Sequence, residues 1–138
     1  MRIAIHGKST GPEAQACISD LLQCLADIDA FLAISSEYKS DLAEKHFHPK
    51  IEQTFDRSDD LSNYDFIISL GGDGTILDTI TFTKESELPI VGINLGRLGF
   101  LATTPREAVN EVVQKLNAGD YKIESRSLIH VDSNEGLF

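Results

Sequence analysis

Three glycines within four positions flank a single aspartate in the run Gly71-Gly72-Asp73-Gly74, and this run is the segment of the chain best suited to chemistry. Glycine lets the backbone turn tightly and lets a ligand approach without a Cβ in the way. Backbone amides at a turn and at a helix N-terminus attract phosphate oxygens. A carboxylate repels phosphate, so Asp73 is better suited to hold a metal ion, to accept a hydrogen bond from a sugar hydroxyl, or to take its proton.

The residues on either side of this run predict a strand, a turn and a helix. Phe66 to Leu70 is apolar and rich in β-forming residues, as in a buried strand of a parallel sheet. A helix is predicted from Thr75 to about Lys84. Ligands bind at such junctions, outside the carboxyl ends of parallel strands. The residues alone leave open an alternative, a tight turn in which Asp73 or Thr75 only caps the helix.

A second candidate segment follows the next predicted buried strand, Leu88 to Ile93. Asn94 is placed where that strand ends, on the ligand side of the sheet. Gly96 and Gly99 permit a sharply folded loop, and Phe100 is well placed to pack on a ring. The same loop is equally consistent with a core plug formed by its apolar residues, Leu98, Phe100 and Leu101.

Strand-like and helix-like segments alternate along the rest of the chain, which predicts an α/β fold with a Rossmann-like parallel sheet flanked by helices. Thr104 is predicted to cap a last helix, with Pro105 in its first turn and Gly119 at its end. The further predicted elements are strands at Arg2–His6 and Phe31–Ile34, helices from Glu13 and over Tyr38–His46, and one short strand within Ile51–Asn63.

The composition narrows the class of protein. Twenty-two acidic residues against 12 basic ones give a net charge of −10 at pH 7, which argues against binding to nucleic acid or to an anionic membrane. No apolar run approaches the ~20 residues that cross a bilayer. Cys17 and Cys24 are predicted to lie on the apolar face of one helix as buried thiols, which is typical of a reducing cytoplasm. His46 and His48 have no evident third ligand, so no metal site is predicted there.

Gly71 to Thr75, followed at this distance by Asn94 to Leu101, resembles the NAD kinase family. The first motif is shared with 6-phosphofructokinases and with diacylglycerol and sphingosine kinases, whereas the second is far more specific. The resemblance implies transfer of the γ-phosphoryl group of ATP to the 2′-hydroxyl of the adenosine ribose of NAD, which gives NADP. It also implies a divalent metal cation such as Mg²⁺, a cytoplasmic setting and a homo-oligomer.

The resemblance assigns roles to the matching positions, and none of them is a metal ligand. Asp73 matches the proposed proton acceptor, and Asp73 with Gly74 contacts the dinucleotide. Phe100 lines the adenine site, and Asn94 is assigned to NAD binding as well. Four residues are assigned to the phosphates of ATP: Gly71, Gly72, Gly74 and Thr75.

The chain departs from the family pattern in two ways. Many relatives have a basic residue where this chain has Asp78, and Thr75 with Asp78 forms a Thr-x-x-Asp pattern that suits a helix cap. The family also has a second, mostly β domain, of which residues 121–138 are expected to be the opening strands. We therefore predict an α/β domain at 1–119 and the truncated start of the second domain at 120–138. Such a chain is expected to make no NADP at a useful rate by itself.

Two alternatives remain at this point. The chain could be another kinase with a Gly-Gly-Asp-Gly turn, although Asn94 to Leu101 speaks against it. It could also be a non-catalytic flavodoxin-like nucleotide-binding domain, because Ser9-Thr10-Gly11 follows the first strand as in a flavodoxin phosphate loop.

Overall fold

Six parallel strands and four α-helices form the computed structural model, which describes residues 1–84 and 86–128. The strands are β1 (Arg2–Gly7), β2 (Phe31–Ser35), β3 (Gln53–Phe55), β4 (Phe66–Leu70), β5 (Ile90–Asn94) and β6 (Thr104–Pro105). The helices are α1 (Pro12–Ala26), α2 (Ser36–Glu44), α3 (Asp73–Thr83) and α4 (Val109–Ala118), and a 3₁₀ turn at Arg106–Ala108 precedes α4.

The strands lie in the order β3-β2-β1-β4-β5-β6. In chain order, β2 and β3 are therefore added on one side of β1, and β4, β5 and β6 are then added on its other side. In such doubly wound sheets the ligand crevice lies where the direction reverses, outside the carboxyl ends of the strands. Gly7 and Leu70 are register partners, so β1 and β4 end level with each other at this reversal. The predicted Rossmann-like sheet is confirmed.

The two faces of the sheet carry separate apolar clusters, because successive strand residues point to opposite sides. Ile3 and Ile5 pack against α1 and α4, whereas Ala4 packs with Phe82 of α3 on the other face. The apolar face predicted for α1 is buried at Ala14, Cys17, Ile18, Leu21 and Leu25. Both cysteines are free thiols, but Cys24 is only half-buried, so the prediction of two buried thiols is wrong for it. Burial raises the pKa of the Cys17 thiol to about 11.

The segment around Pro105 forms a strand, and the prediction that Thr104 caps a helix is wrong. Pro105 has extended dihedral angles and pairs in parallel register with Asn94. Proline cannot donate to a ladder, and an edge strand tolerates it because one side has no neighbour. Helix α4 begins only at Val109 and ends, as predicted, at Gly119, whose φ of 72° lies in the left-handed region.

Helix α3 begins at Asp73, two residues before the predicted start. Its N-cap is Gly72, and no side chain caps the helix. Both capping alternatives, through Asp73 or Thr75 and through the Thr75–Asp78 pattern, are therefore wrong. The carboxylates of Asp73 and Asp78 are available for other partners.

Residues 121–128, the last that the structure describes, form neither helix nor strand. The ring of Tyr121 packs edge-on against Phe66 at 5.2 Å between centroids. The strand residues predicted at Ile129 and Val131, the turn at 133–136 and the final Leu137-Phe138 lie outside the described residues, so the second domain stays a prediction. Within the described part of the chain, no helix has the length and apolar character that crossing a membrane requires.

Candidate functional site

The glycine-rich turn lies at the reversal point of the sheet. It leaves the carboxyl end of β4, between β1 and β5, and enters α3 directly. Its first amide, of Gly71, donates to the carbonyl oxygen of Ile93 at 3.0 Å and so ties the turn to β5. The turn therefore stands where a doubly wound sheet binds its ligand.

The glycines of this turn serve two different needs. Gly71 has φ of 156°, and a Cβ there would collide with the side chain of Thr75, so the fold itself requires glycine. A Cβ at Gly72 or at Gly74 would meet no atom within 4 Å. The space above these two residues is open to a ligand, whereas Thr75 is buried beneath the turn.

Asp73 is bound to the loop that follows β5. One carboxylate oxygen, Oδ2, accepts the amide of Phe100 at 2.8 Å. The other oxygen, Oδ1, accepts the amides of Leu101 and Ala102, each at 2.9 Å. These three hydrogen bonds lower the pKa of Asp73, because each amide favours the ionised carboxylate, and the bond from Ala102 has the largest effect. The carboxylate therefore stays charged at neutral pH.

Asn94 organises the same loop from inside. Its side chain is 3% exposed. Its Oδ1 accepts the amide of Gly96 at 2.8 Å, and its Nδ2 donates to the carbonyl oxygens of Arg97 at 2.7 Å and Ala102 at 3.2 Å. All three of these hydrogen bonds are made to the loop backbone, and contact of Asn94 with a dinucleotide stays a prediction.

Phe100 stands out from the loop into solvent. Its side chain is 93% exposed and that of Leu98 is 65% exposed, so the alternative that these residues plug the core is wrong. The structure brings Asp73, Gly74 and the Phe100 backbone together at one edge of the sheet. The exposed ring is available to a planar ligand that binds over the turn.

A second polar cluster, which the sequence analysis missed, lies beside the turn under α3. His6 Nδ1 is 2.7 Å from Ser35 Oγ, and His6 Nε2 is 2.9 Å from Asp78 Oδ2. Because the ionised carboxylate only accepts, Nε2 carries the hydrogen and the serine hydroxyl donates to Nδ1. The alternation of side chains along a strand could have indicated this cluster, because it places His6 on the same face of β1 as Ala4, the face that packs against α3.

Ser35, His6 and Asp78 are the residue types of a hydrolytic triad, but the burial of this cluster excludes nucleophilic attack on a substrate. Ser35 is 0% exposed, and its oxygen also accepts the amide of Tyr38 at 3.4 Å as the cap of α2. A nucleophile without access to a substrate cannot react. The cluster instead links β1, β2 and α3 beneath the site.

Two cations complete the cluster around Asp78. Lys8 Nζ and Arg57 lie 3.3 Å from its carboxylate oxygens, and Arg57 also bonds Glu37 at 2.8 Å. Burial alone would raise the pKa of Asp78, but the bonds from His6, Lys8 and Arg57 lower it. Asp78 is therefore an acid that holds two cationic side chains, Lys8 and Arg57, beside His6.

This cluster does not fit a metal ion. Within the described ranges, His6, Glu37 and Asp78 are the one group of three or more histidine, cysteine or acidic side chains whose ligand atoms all lie within 4.8 Å of one another. The guanidinium of Arg57, bonded to both carboxylates, already supplies the positive charge there. His46 and His48 are exposed, and neither of them belongs to that group.

His6 makes the stability of the fold depend on pH. Burial lowers its pKa below the ordinary 6.5, despite the bond to Asp78. The unfolded chain therefore binds a proton more readily, and the stability that His6 contributes is present above pH 6.5 and is lost as the pH falls below it. Urea unfolding should show a free energy of unfolding that falls from pH 7.5 to pH 5, and the fall should be smaller in the variant His6→Gln. The control His48→Gln removes an exposed histidine, and an equal reduction in that variant would contradict the prediction.

The sheet order and the turn at its reversal point define the chain as a Rossmann-like α/β domain. The family described as "ATP-NAD kinase N-terminal domain" matches residues 12–121. The chain therefore belongs to the ATP-NAD kinase family, as the sequence motifs predicted.

Individual proteins similar to this chain are NAD kinases as well. The NAD kinase of Cytophaga hutchinsonii is 38% identical over 139 residues, which cover 100% of this chain and 48% of the relative. That of Porphyromonas gingivalis is 35% identical over 136 residues, which cover 98% of this chain and 46% of the relative. The chain thus spans about half the length of the curated relatives it matches.

A solved structure shares the fold. Yeast NADH kinase in complex with NADH superposes with a TM-score of 0.70 at 21% identity, over 87% of this chain and 38% of the yeast chain. At that identity the likeness concerns the fold alone.

Proposed function

We propose that this chain is part of an enzyme that transfers the γ-phosphoryl group of ATP to the 2′-hydroxyl of the adenosine ribose of NAD and so makes NADP. The observation that carries the proposal is the charged carboxylate of Asp73 inside an open glycine turn at the reversal point of the sheet. Membership of the ATP-NAD kinase family supports it.

The proposed roles follow the local geometry. The open space at Gly72 and Gly74 suits phosphate groups, because the first amides of α3 have no acceptor within the helix. Gly71 and Thr75 shape this turn from below and are proposed to act with it. Asp73 faces the ribose hydroxyl as its acceptor, either holding it in line for attack or taking its proton.

Phe100 and Asn94 are proposed to serve the dinucleotide in different ways. The exposed ring of Phe100 supplies an apolar surface for the adenine base. Asn94 keeps the loop that carries Phe100 folded, through its bonds to the backbone. Contact with both Asp73 and Phe100 would favour a ligand that has a base and a ribose.

Magnesium is proposed to enter with the phosphates of ATP. The acid cluster at Asp78 already holds Arg57, and both oxygens of Asp73 carry amide hydrogen bonds. Mg²⁺ commonly needs only one or two protein carboxylates besides the phosphate oxygens. The ion would supply charge neutralisation for the transferred phosphoryl group.

As further parts of the proposal, the enzyme is cytoplasmic, in keeping with its free thiols, and homo-oligomeric, which light scattering would test.

The experiment is to assay NADP formation from NAD and ATP with the 138-residue chain and with a longer chain from the same source. Because the chain spans about half of the relatives it matches, we expect activity from the longer protein and no useful rate from the shorter one. Robust NADP synthesis by the 138-residue chain would contradict the proposed incomplete site. A longer protein that bound neither NAD nor ATP would contradict the proposed function.

A further inference from the structure

Asp73 holds a segment of backbone that is far away in sequence. Its carboxylate accepts the amides of Phe100, Leu101 and Ala102, which lie 27, 28 and 29 residues along the chain. We call these three hydrogen bonds the loop clasp. They connect the first turn of α3 to the loop after β5, and so join the two candidate segments into one unit.

The loop backbone lies directly against the carboxylate. A Cβ at Gly99 would collide with the carboxylate of Asp73, so glycine at that position is what allows the clasp to close. At Gly96, three residues earlier, the nearest atom to such a Cβ is Asn94 Oδ1 at 4.0 Å, an ordinary contact. The two glycines of one loop therefore offer a matched pair of substitutions.

The exposed ring of Phe100 has little packing to fix its position. With 93% of its side chain exposed, its location depends on where the loop backbone is held. Asp73 bonds the amide of Phe100 itself, and Asn94 bonds the carbonyl of Ala102 on the far side. The charge of Asp73 thus sets the position of an aromatic surface that the carboxylate does not touch.

The clasp leaves room for one further partner. An ionised carboxylate offers about four lone-pair positions, and the three amides use three of them. Oδ1 accepts two amides and Oδ2 accepts one, so the open position lies on Oδ2. A single hydroxyl can donate there while the clasp stays closed.

We propose that Asp73 is a positioning residue for Phe100 as well as the acceptor of one ribose hydroxyl, so that one carboxylate fixes both the ribose and the ring that receives the adenine. The second half of this statement rests on the proposed function. The first half concerns the chain alone and is tested without any nucleotide.

Hydrogen exchange of the loop amides tests the clasp. Hydrogen bonds to a charged acceptor should slow exchange at residues 100–102 by roughly 10-fold to 100-fold, despite the exposure of Phe100 and Leu101. Asp73→Ala and Gly99→Ala should both abolish this protection, whereas Gly96→Ala should keep it. A Phe100→Trp variant, in a chain without other tryptophan, should lose fluorescence anisotropy when Asp73→Ala is added. Unchanged protection in Asp73→Ala would overturn the clasp, whatever the protein binds.

Kinetics of the longer protein test the coupling to the ligand. Gly99→Ala should raise KM for NAD by roughly 10-fold, as expected for a lost base contact, and leave KM for ATP unchanged. Adding Phe100→Ala to Gly99→Ala should cost little more, because both changes remove the same contact. Fully additive effects, or an equal rise in KM for ATP, would overturn the positioning role. If exchange confirms the clasp but the parent protein binds no NAD, the proposed function fails and the clasp remains.

Discussion

Replacement of Asp73 by asparagine in the longer enzyme should lower kcat by about 10²-fold or more and leave the fold intact. Asparagine keeps the shape of the side chain and one oxygen, which can still accept the amides of Leu101 and Ala102. It removes the charge that is proposed to orient the ribose hydroxyl or to take its proton. Steady-state NADP formation at saturating NAD and ATP measures the effect.

The matched control is Asp41→Asn, which neutralises an exposed aspartate on α2 outside the site and should leave kcat unchanged. Thermal unfolding of both variants checks the fold. A turnover near that of the parent in Asp73→Asn would remove Asp73 from the chemistry. It would leave the aspartate with its role in the loop clasp.

Gly74→Val should lower kcat/KM for NAD by about 10²-fold, because its branched side chain would occupy the open space above the turn. The stability of the fold should not fall, since Gly74 lies in α3, has no neighbour within 4 Å of a Cβ, and valine suits a helix no worse than glycine. Gly72→Val should also weaken nucleotide binding, but because Gly72 is the N-cap of α3, where valine is disfavoured, some loss of stability is expected there as well. Calorimetric titration with NAD and urea unfolding separate the two effects.

Gly71→Val is the opposite case in the same turn. Its side chain would collide with Thr75, so it should destabilise the fold before any effect on the ligand. Dinucleotide binding by Gly74→Val as strong as that of the parent would show that the turn does not touch the ligand. The contrast between positions 71 and 74 therefore tests the site independently of Asp73.

Asp78 shows how a capping pattern can be misread from local sequence. The Thr75-x-x-Asp78 spacing suggested a helix cap, but α3 begins before both residues. The partners of Asp78 are His6 from β1 and Arg57 from the segment after β3, which are 72 and 21 residues away. A capping pattern describes contacts within one turn and carries no information about such distant partners.

Local residue patterns were enough to predict most of the strands and helices, and also the family. A buried strand, a turn and a helix are each encoded by residues within a few positions, through apolar periodicity and the backbone freedom of glycine. Phe66–Leu70 as a strand and Gly119 as a helix end are read in this way, and both are observed. The spacing of Gly71 to Thr75 and Asn94 to Leu101 was sufficient to identify the ATP-NAD kinase family.

The contacts of the candidate site side chains could be known only from the packing of the whole domain. The alignment of β4 beside β5 brings the amides of residues 100–102 onto Asp73, and the packing of α3 on β1 brings His6 to Asp78. Pro105 became a strand because β5 offered it a free edge, which no local signal records. These outcomes depend on neighbours that are distant in sequence. Propensity and spacing locate a carboxylate on its element, whereas the packing of the sheet selects the groups that bind it.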